Sequence, residues 1–241
     1  MNVQGEGPAA PARGAFVWHD LMSTDTAGAA VFYAGLFGWT CRAGRFWRGG
    51  DAVAGIVALD PDLGWPAHWL GYAAVVDVEA ALGKAMGYGA TPLHPPTEAG
   101  EGSFAVLADP DGALLGLVSG TTAAAPYGPG AFVWDELFTE DDAIRGFYGR
   151  ALGYAVGPSD MGEPGAGWVL RVDGIPLASI LQRPDSNPPF WVPFVAGDPD
   201  DAVVKVEALG GRVVQAAAAL PDGGRYCVLV DPTGAVFGVL R

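Results

Sequence analysis

The chain has 241 residues, half of them hydrophobic, and carries 27 acidic against 13 basic side chains for a formal net charge of -14. That charge repels nucleic acid and anionic membrane surfaces, and the basic residues form no cluster, so neither is an expected partner. No apolar run of about twenty residues marks a membrane span, no signal-peptide pattern opens the chain, and Cys41 and Cys227 lack metal or disulfide spacing. The expectation is a cytoplasmic protein in which both cysteines are small core residues.

Residues 1–13 are rich in Pro, Gly and Ala without periodicity and are predicted to be a disordered tail. Gly14-Ala15-Phe16-Val17-Trp18 follows, and the same five letters return as Gly130-Ala131-Phe132-Val133-Trp134. Each copy runs into an acidic residue and a leucine, Asp20-Leu21 and Glu136-Leu137. If both segments are regular strands, Phe16, Trp18 and Asp20 share one face, as do Phe132, Trp134 and Glu136. A carboxylate beside tryptophan on an inner face suits the wall of a cavity better than a closed core. By the same alternation His19 points outward and is expected at the surface.

Ser23-Thr24-Asp25 supplies capping side chains to a helix whose apolar residues, Phe32, Tyr33, Leu36 and Phe37 among them, recur at helical spacing before Gly38 stops it. Thr139 to Asp142, then Ile144, Phe147, Tyr148 and Leu152 before Gly153, repeat the pattern. Short strands follow each helix, Trp39 to Ala43 with a hairpin at Gly49-Gly50-Asp51, and Tyr154 to Gly157 with a hairpin at Asp173-Gly174. A second unit starts at Trp69 in one half and Trp191 in the other. It continues through helices from Glu79 to Tyr88 and Asp200 to Leu209. It ends in hairpins turned by Asp109-Pro110-Asp111-Gly112 and Asp231-Pro232-Thr233-Gly234. Small residues and prolines over 119–129 read as a linker.

These residues carry a family likeness. The strand followed by Phe32-Tyr33-x-x-Leu36-Phe37-Gly38-Trp39, and the Asp-Pro-Asp/Thr-Gly-Ala turn near each end, resemble the vicinal oxygen chelate superfamily of glyoxalases, extradiol dioxygenases and bleomycin-binding resistance proteins. The details are most similar to the tandem glyoxalase-like proteins of actinobacteria, often given a hydroxylase label. The resemblance implies an α+β fold with tandem glyoxalase-like domains over 14–118 and 130–241. Each would contain two βαβββ modules whose mixed sheets form a cup for small molecules.

The family's metal ligands come from inward positions on the first, fourth, fifth and eighth strands of each half. Here the first-strand position falls on Trp18 and Trp134, the fifth near Gly71 and Pro193, and the last on Gly116 and Gly238. The fourth strands, read as Ala52 to Ala58 and Ile175 to Leu181, contain no acid or histidine. No metal or other cofactor is therefore expected, with room where the glycines stand and aromatic surface where histidines would be.

Trp18 and Trp134 are candidate stacking surfaces for a flat ligand, with core packing as the plain alternative. Asp20 and Glu136 are candidate ligand acceptors or acid/base groups, or else strand-end carboxylates bonded to backbone. Trp69 and Trp191 either line the cup mouths or pack on the neighbouring module, and His68 stands at a cup rim. Arg225, matched by Ser103 in the first half, is read as a partner for an anionic ligand or for Glu136. The leading expectation is a metal-free binding protein for an aromatic or hydrophobic metabolite, acting in sequestration or alongside a partner biosynthetic enzyme. Its rival is a metal-free isomerase, cyclase or hydroxylase using Asp20 or Glu136. A third reading holds a divalent ion through His68 with one of these carboxylates. A monomer and a homodimer both fit the duplicated chain.

Overall fold

A computed structural model describes residues 13–120, 128–141, 143–159, 167–182, 188–221 and 223–241. The tail expected over 1–13 falls outside these except for Arg13, as does most of the linker. In the first half, β1 (Phe16–Ser23) leads to α1 (Thr26–Phe37), then β2 (Thr40–Arg42), β3 (Arg45–Arg48) and β4 (Asp51–Ala58). The second module runs β5 (His68–Ala74), α2 (Val78–Gly87), β6 (Thr91–Ala99), β7 (Gly102–Ala108) and β8 (Leu114–Val118). The second half repeats this as β9 (Phe132–Thr139), α3 (Ile144–Phe147) extended by a π-helical turn (Tyr148–Leu152), β10 (Ala155–Pro158), β11 (Gly167–Val172) and β12 (Ile175–Gln182). Its last module is β13 (Phe190–Ala196), α4 (Pro199–Ala208), β14 (Arg212–Ala219), β15 (Arg225–Val230) and β16 (Val236–Leu240).

Helix starts follow the side-chain chemistry. Asp25, Asp77 and Asp198 each accept a hydrogen bond from a backbone N–H of the first turn of α1, α2 and α4. At the other end Gly38 and Gly153 adopt φ of 70° and 83°, a left-handed conformation that stops each helix.

Each half forms one eight-stranded sheet, in the order β2-β3-β4-β1-β5-β8-β7-β6 and its equivalent β10-β11-β12-β9-β13-β16-β15-β14. The two modules of a half thus join through the antiparallel pairs β1–β5 and β9–β13, with parallel pairs β1–β4 and β5–β8 on either side. This is the α+β, cup-sheet architecture that the repeat and the resemblance imply.

Helices cover one face of each sheet, and the two halves meet through those faces. One core joins α2, β7 and β8 to α3 and β11–β12, with Leu107, Leu115, Leu117, Tyr148 and Leu170 almost fully enclosed. The other joins α1 to α4, β15 and β16, with Phe32, Tyr33, Trp39, Leu229 and Phe237. The opposite sheet faces, the insides of the cups, point away from these cores.

The contacts between halves come in reciprocal pairs. Tyr33 Oη donates to Asp231 in the second half's terminal turn, and Tyr148 Oη donates to Asp109 in the first half's turn, at 3.1 and 2.7 Å. Trp39 Nε1 donates to the Gly130 carbonyl, and Tyr154 Oη to the Gly14 carbonyl. Where the repeats meet themselves, the equivalent residues His19 and Asp135 form a pair at 2.8 Å with side chains 3% and 4% exposed. His19 is therefore no surface residue: the outward face of each first strand is buried against the other half, and its ring stacks on Phe132 at 4.1 Å.

The shared face expected for Phe16, Trp18 and Asp20 is also corrected. A register shift between Phe16 and Trp18 turns Phe16 to the inter-half side, where its ring lies 4.9 Å from Trp191. A matching irregularity opposite β9 sends Phe132 against Trp39 and Trp69. Cys227 is buried as expected, but Cys41, on the short strand β2, is exposed. Among the described residues no helix is long and apolar enough to cross a membrane.

Candidate functional site

Strand register defines the floor of each cup. In the first half Trp18 pairs with Tyr72, Asp20 with Leu70 on one side and Gly55 on the other, and Met22 with His68. In the second, Trp134 pairs with Phe194, Glu136 with Val192 and Ser179, and Phe138 with Phe190. The structure thus brings together the sequence-predicted Trp18, Asp20 and His68 in one cup, and Trp134 and Glu136 in the other.

In both cups the tryptophan holds the carboxylate, by different routes. Trp18 Nε1 donates directly to Asp20 Oδ1 at 2.8 Å. Trp134 Nε1 donates to Ser179 Oγ at 2.9 Å, and that hydroxyl donates to Glu136 Oε1 at 2.8 Å. The neighbouring strand explains the difference. Gly55 leaves the space that the Asp20 carboxylate fills, and a β-carbon there would collide with it. Ser179 stands at the equivalent register position and bridges the gap to the longer glutamate. Tyr72 adds a third group: its hydroxyl pKa is raised, first by burial, then by the Asp20 charge and a hydrogen bond to that carboxylate. Gly55, Ser179 and Tyr72 were absent from the sequence candidates. Laying the two halves over one another exposes the first two, because glycine meets serine beside aspartate and glutamate.

The glycines Gly116 and Gly238 do not leave room for a guest. Tyr72 and Phe194 lie across them so closely that a β-carbon at either glycine would enter the ring. Gly71 and Pro193, expected to face inward on the fifth strands, pair with His19 and Asp135 and so face the other half. Tyr72 and Phe194 hold the inward positions instead.

Trp69 and Trp191 are placed in the inter-half cores, away from the cup mouths, at 4% and 5% exposure. Their indoles donate to the Tyr33 and Tyr148 hydroxyls at 2.9 and 3.2 Å, completing Trp–Tyr–Asp chains across the halves. Burial first, and then the facing aspartate, raises both tyrosine pKa values, which keeps the hydroxyls protonated as donors. Arg225 makes a two-point pair with Asp200 at the start of α4, at 2.7 and 2.9 Å, where the sequence suggested Glu136 or a ligand. His68 faces the first cup opposite Met22; its Nδ1 lies 2.9 Å from the Pro66 carbonyl oxygen, and burial lowers its pKa.

The residues present do not fit the metal that the superfamily implies. Its ligand positions carry indole, ring and bare backbone, and among the described residues no three His, Cys, Asp or Glu side chains gather as donors would.

Comparison with known proteins places this geometry in a lineage. The family model for the glyoxalase-like domain matches residues 131–240. CFP32 of Mycobacterium tuberculosis, which carries a glyoxylase name, is 31% identical over 243 residues, covering 93% of this chain and 93% of its own. The anthracycline biosynthesis protein DauV of Streptomyces sp. strain C5 is 34% identical over 263 residues, covering 95% of this chain and 94% of its own. Among solved structures, the Mn(II)-bound glyoxalase of Novosphingobium aromaticivorans superposes with a TM-score of 0.68 at 16% identity, covering 95% of this chain and 82% of that one. The 2,3-dioxygenase LapB of Pseudomonas sp. KL28 gives 0.61 at 15% identity, over 97% and 93%. At such identities these structures speak for the fold alone. With two tandem cups, a duplicated terminal turn and full-length relatives above 30% identity, the chain belongs to the glyoxalase-like family of the vicinal oxygen chelate superfamily.

Proposed function

We propose that the protein holds an aromatic or hydrophobic small molecule in its cup without a metal ion, in a biosynthesis-related role. The observation that carries this reading is the indole–carboxylate unit on each cup floor, a flat apolar surface next to a hydrogen-bond acceptor where the superfamily has chelating side chains. The full-length similarity to DauV, named for anthracycline biosynthesis, supports a planar polycyclic guest and work beside a biosynthetic enzyme.

Titration with 1,8-dihydroxyanthraquinone, followed by tryptophan emission, tests the reading. Saturable quenching that weakens in Trp18→Ala or Trp134→Ala supports it. Affinity untouched by both substitutions, or nickel, manganese or iron retained stoichiometrically by untagged protein, removes it.

A catalytic version of the same site rests on Asp20, a half-buried carboxylate beside the Tyr72 hydroxyl and open to the cup. There Asp20, or Glu136 in the other cup, would take a proton from a bound substrate and return it elsewhere, as in an isomerisation or cyclisation. Turnover that persists in the Asp20→Asn, Glu136→Gln double variant eliminates this version.

A further inference from the structure

Position by position, three polar side chains of the first cup have apolar counterparts in the second, against the opposite change from Gly55 to Ser179. Tyr72 in the first corresponds to Phe194 in the second, since each lies across the glycine of the last strand and pairs with the floor tryptophan. His68 corresponds to Phe190, opposite Met22 and Phe138 respectively. Arg45 pairs with Gly55 where Val169 pairs with Ser179. The Arg45 guanidinium stands over the Trp18 ring, 5.7 Å from its centroid. Three polar groups of the first cup are thus apolar in the second.

Packing follows the same division. In the second cup Phe138, Val192, Phe194 and Val228 form their own buried cluster, each no more than 4% exposed. Their counterparts Met22 and Val106 in the first cup are only half-buried, although Leu70 and Tyr72 are covered. The floor pairs Trp18–Asp20 and Trp134–Glu136 are half-buried alike, but the second cup packs its own side chains beside its floor where the first leaves Met22 and Val106 partly open.

We infer that ligand binds in the first cup alone, one molecule per chain, and that it is a planar aromatic compound carrying a hydroxyl donor and, across its ring system, a carbonyl acceptor. This rests on the binding function proposed above and specifies its site. The aromatic plane lies on Trp18. The hydroxyl donates to Asp20, whose carboxylate already accepts from Trp18, has Tyr72 on the paired strand beside it, and keeps lone pairs for a further donor. Arg45 lies two strands from Asp20, about 10 Å at ordinary strand spacing, and supplies a cation for the carbonyl end. The second cup is a structural copy that braces the first through the shared cores.

The test converts one cup into the other. Isothermal titration of the full chain with 1,8-dihydroxyanthraquinone is expected to give a stoichiometry of one. Tyr72→Phe and Arg45→Val, which install the residues of the second cup, each weaken binding at least tenfold, and Phe194→Tyr leaves it within twofold. Circular dichroism melting checks that each variant is folded, and the isosteric Tyr72→Phe alone decides if Arg45→Val is not. Two equivalent sites, or affinity that ignores Tyr72→Phe but responds to Phe194→Tyr, overturn the assignment to the first cup while leaving the binding function standing. An absence of saturable binding by the unsubstituted protein overturns both.

Discussion

Exchanging His19 and Asp135 tests whether the halves are held in register by a complementary pair at their common centre. The two side chains meet at 2.8 Å with 3% and 4% exposure, so neither partner has solvent to fall back on. His19→Asp sets two carboxylates against each other, and Asp135→His sets two imidazoles. Breaking a buried pair costs about 3–5 kcal/mol. At roughly 2–4 °C per kcal/mol for a chain of this size, the melting point of each single variant falls by about 6–20 °C. The double exchange restores a complementary pair, and a histidine at 135 meets Phe16 and Phe132, the aromatic rings that already lie on either side of His19. It is expected to recover at least half of the loss. Urea unfolding of the four proteins closes the cycle. Losses that simply add in the double variant would mean that the pair is two independent packing contacts, and the reasoning would fail.

Tyr33→Phe and Tyr148→Phe each remove a buried donor to aspartate and an acceptor for indole, and each is expected to cost about 1–3 kcal/mol in the same unfolding assay. Gly55→Ser alone is expected to destabilise by about 1–3 kcal/mol through its collision with Asp20. Adding Asp20→Glu recovers that loss by rebuilding the relay of the second cup, and a double variant no better than the single one refutes the equivalence. Burial pushes the Cys227 thiol up to about 12, whereas Cys41 is exposed, so native protein at pH 8 titrates with one equivalent of a thiol reagent and denatured protein with two. Because the folded value lies above the unfolded one, Cys227 subtracts stability as pH rises from about 9 towards 12, and Cys227→Ala flattens that part of the stability profile.

The duplicated pentapeptide, the paired helices and the twin terminal turns were legible because each is a local pattern with its own cap or turn residue. Two strands per chain were not. Thr91–Ala99 contains Pro92, Pro95 and Pro96 and is exposed throughout, so it shows no alternation, and Arg212–Ala219 is the matching edge strand. Prolines are tolerated there because an edge strand leaves one side of its backbone unpaired. His19 misled for a different reason. Alternation assigns a residue to one of two faces, but only the meeting of the halves makes the outer face a core. For Trp69 and Trp191 the sequence left two readings, and the structure takes the second, packing against the neighbouring module, where their indoles meet tyrosines that lie on separate helices. Within the cups, Trp18, Asp20, Trp134 and Glu136 were readable from strand period alone. Gly55, Ser179 and Tyr72 emerge from the register of neighbouring strands, which no single segment encodes.

The rings that lie across Gly116 and Gly238 carry a chemical implication. A histidine or glutamate introduced at either glycine, the place where the superfamily keeps a ligand, would first have to evict Tyr72 or Phe194. Installing a chelating side chain at either place therefore demands at least two coordinated changes, the first of them harmful by itself.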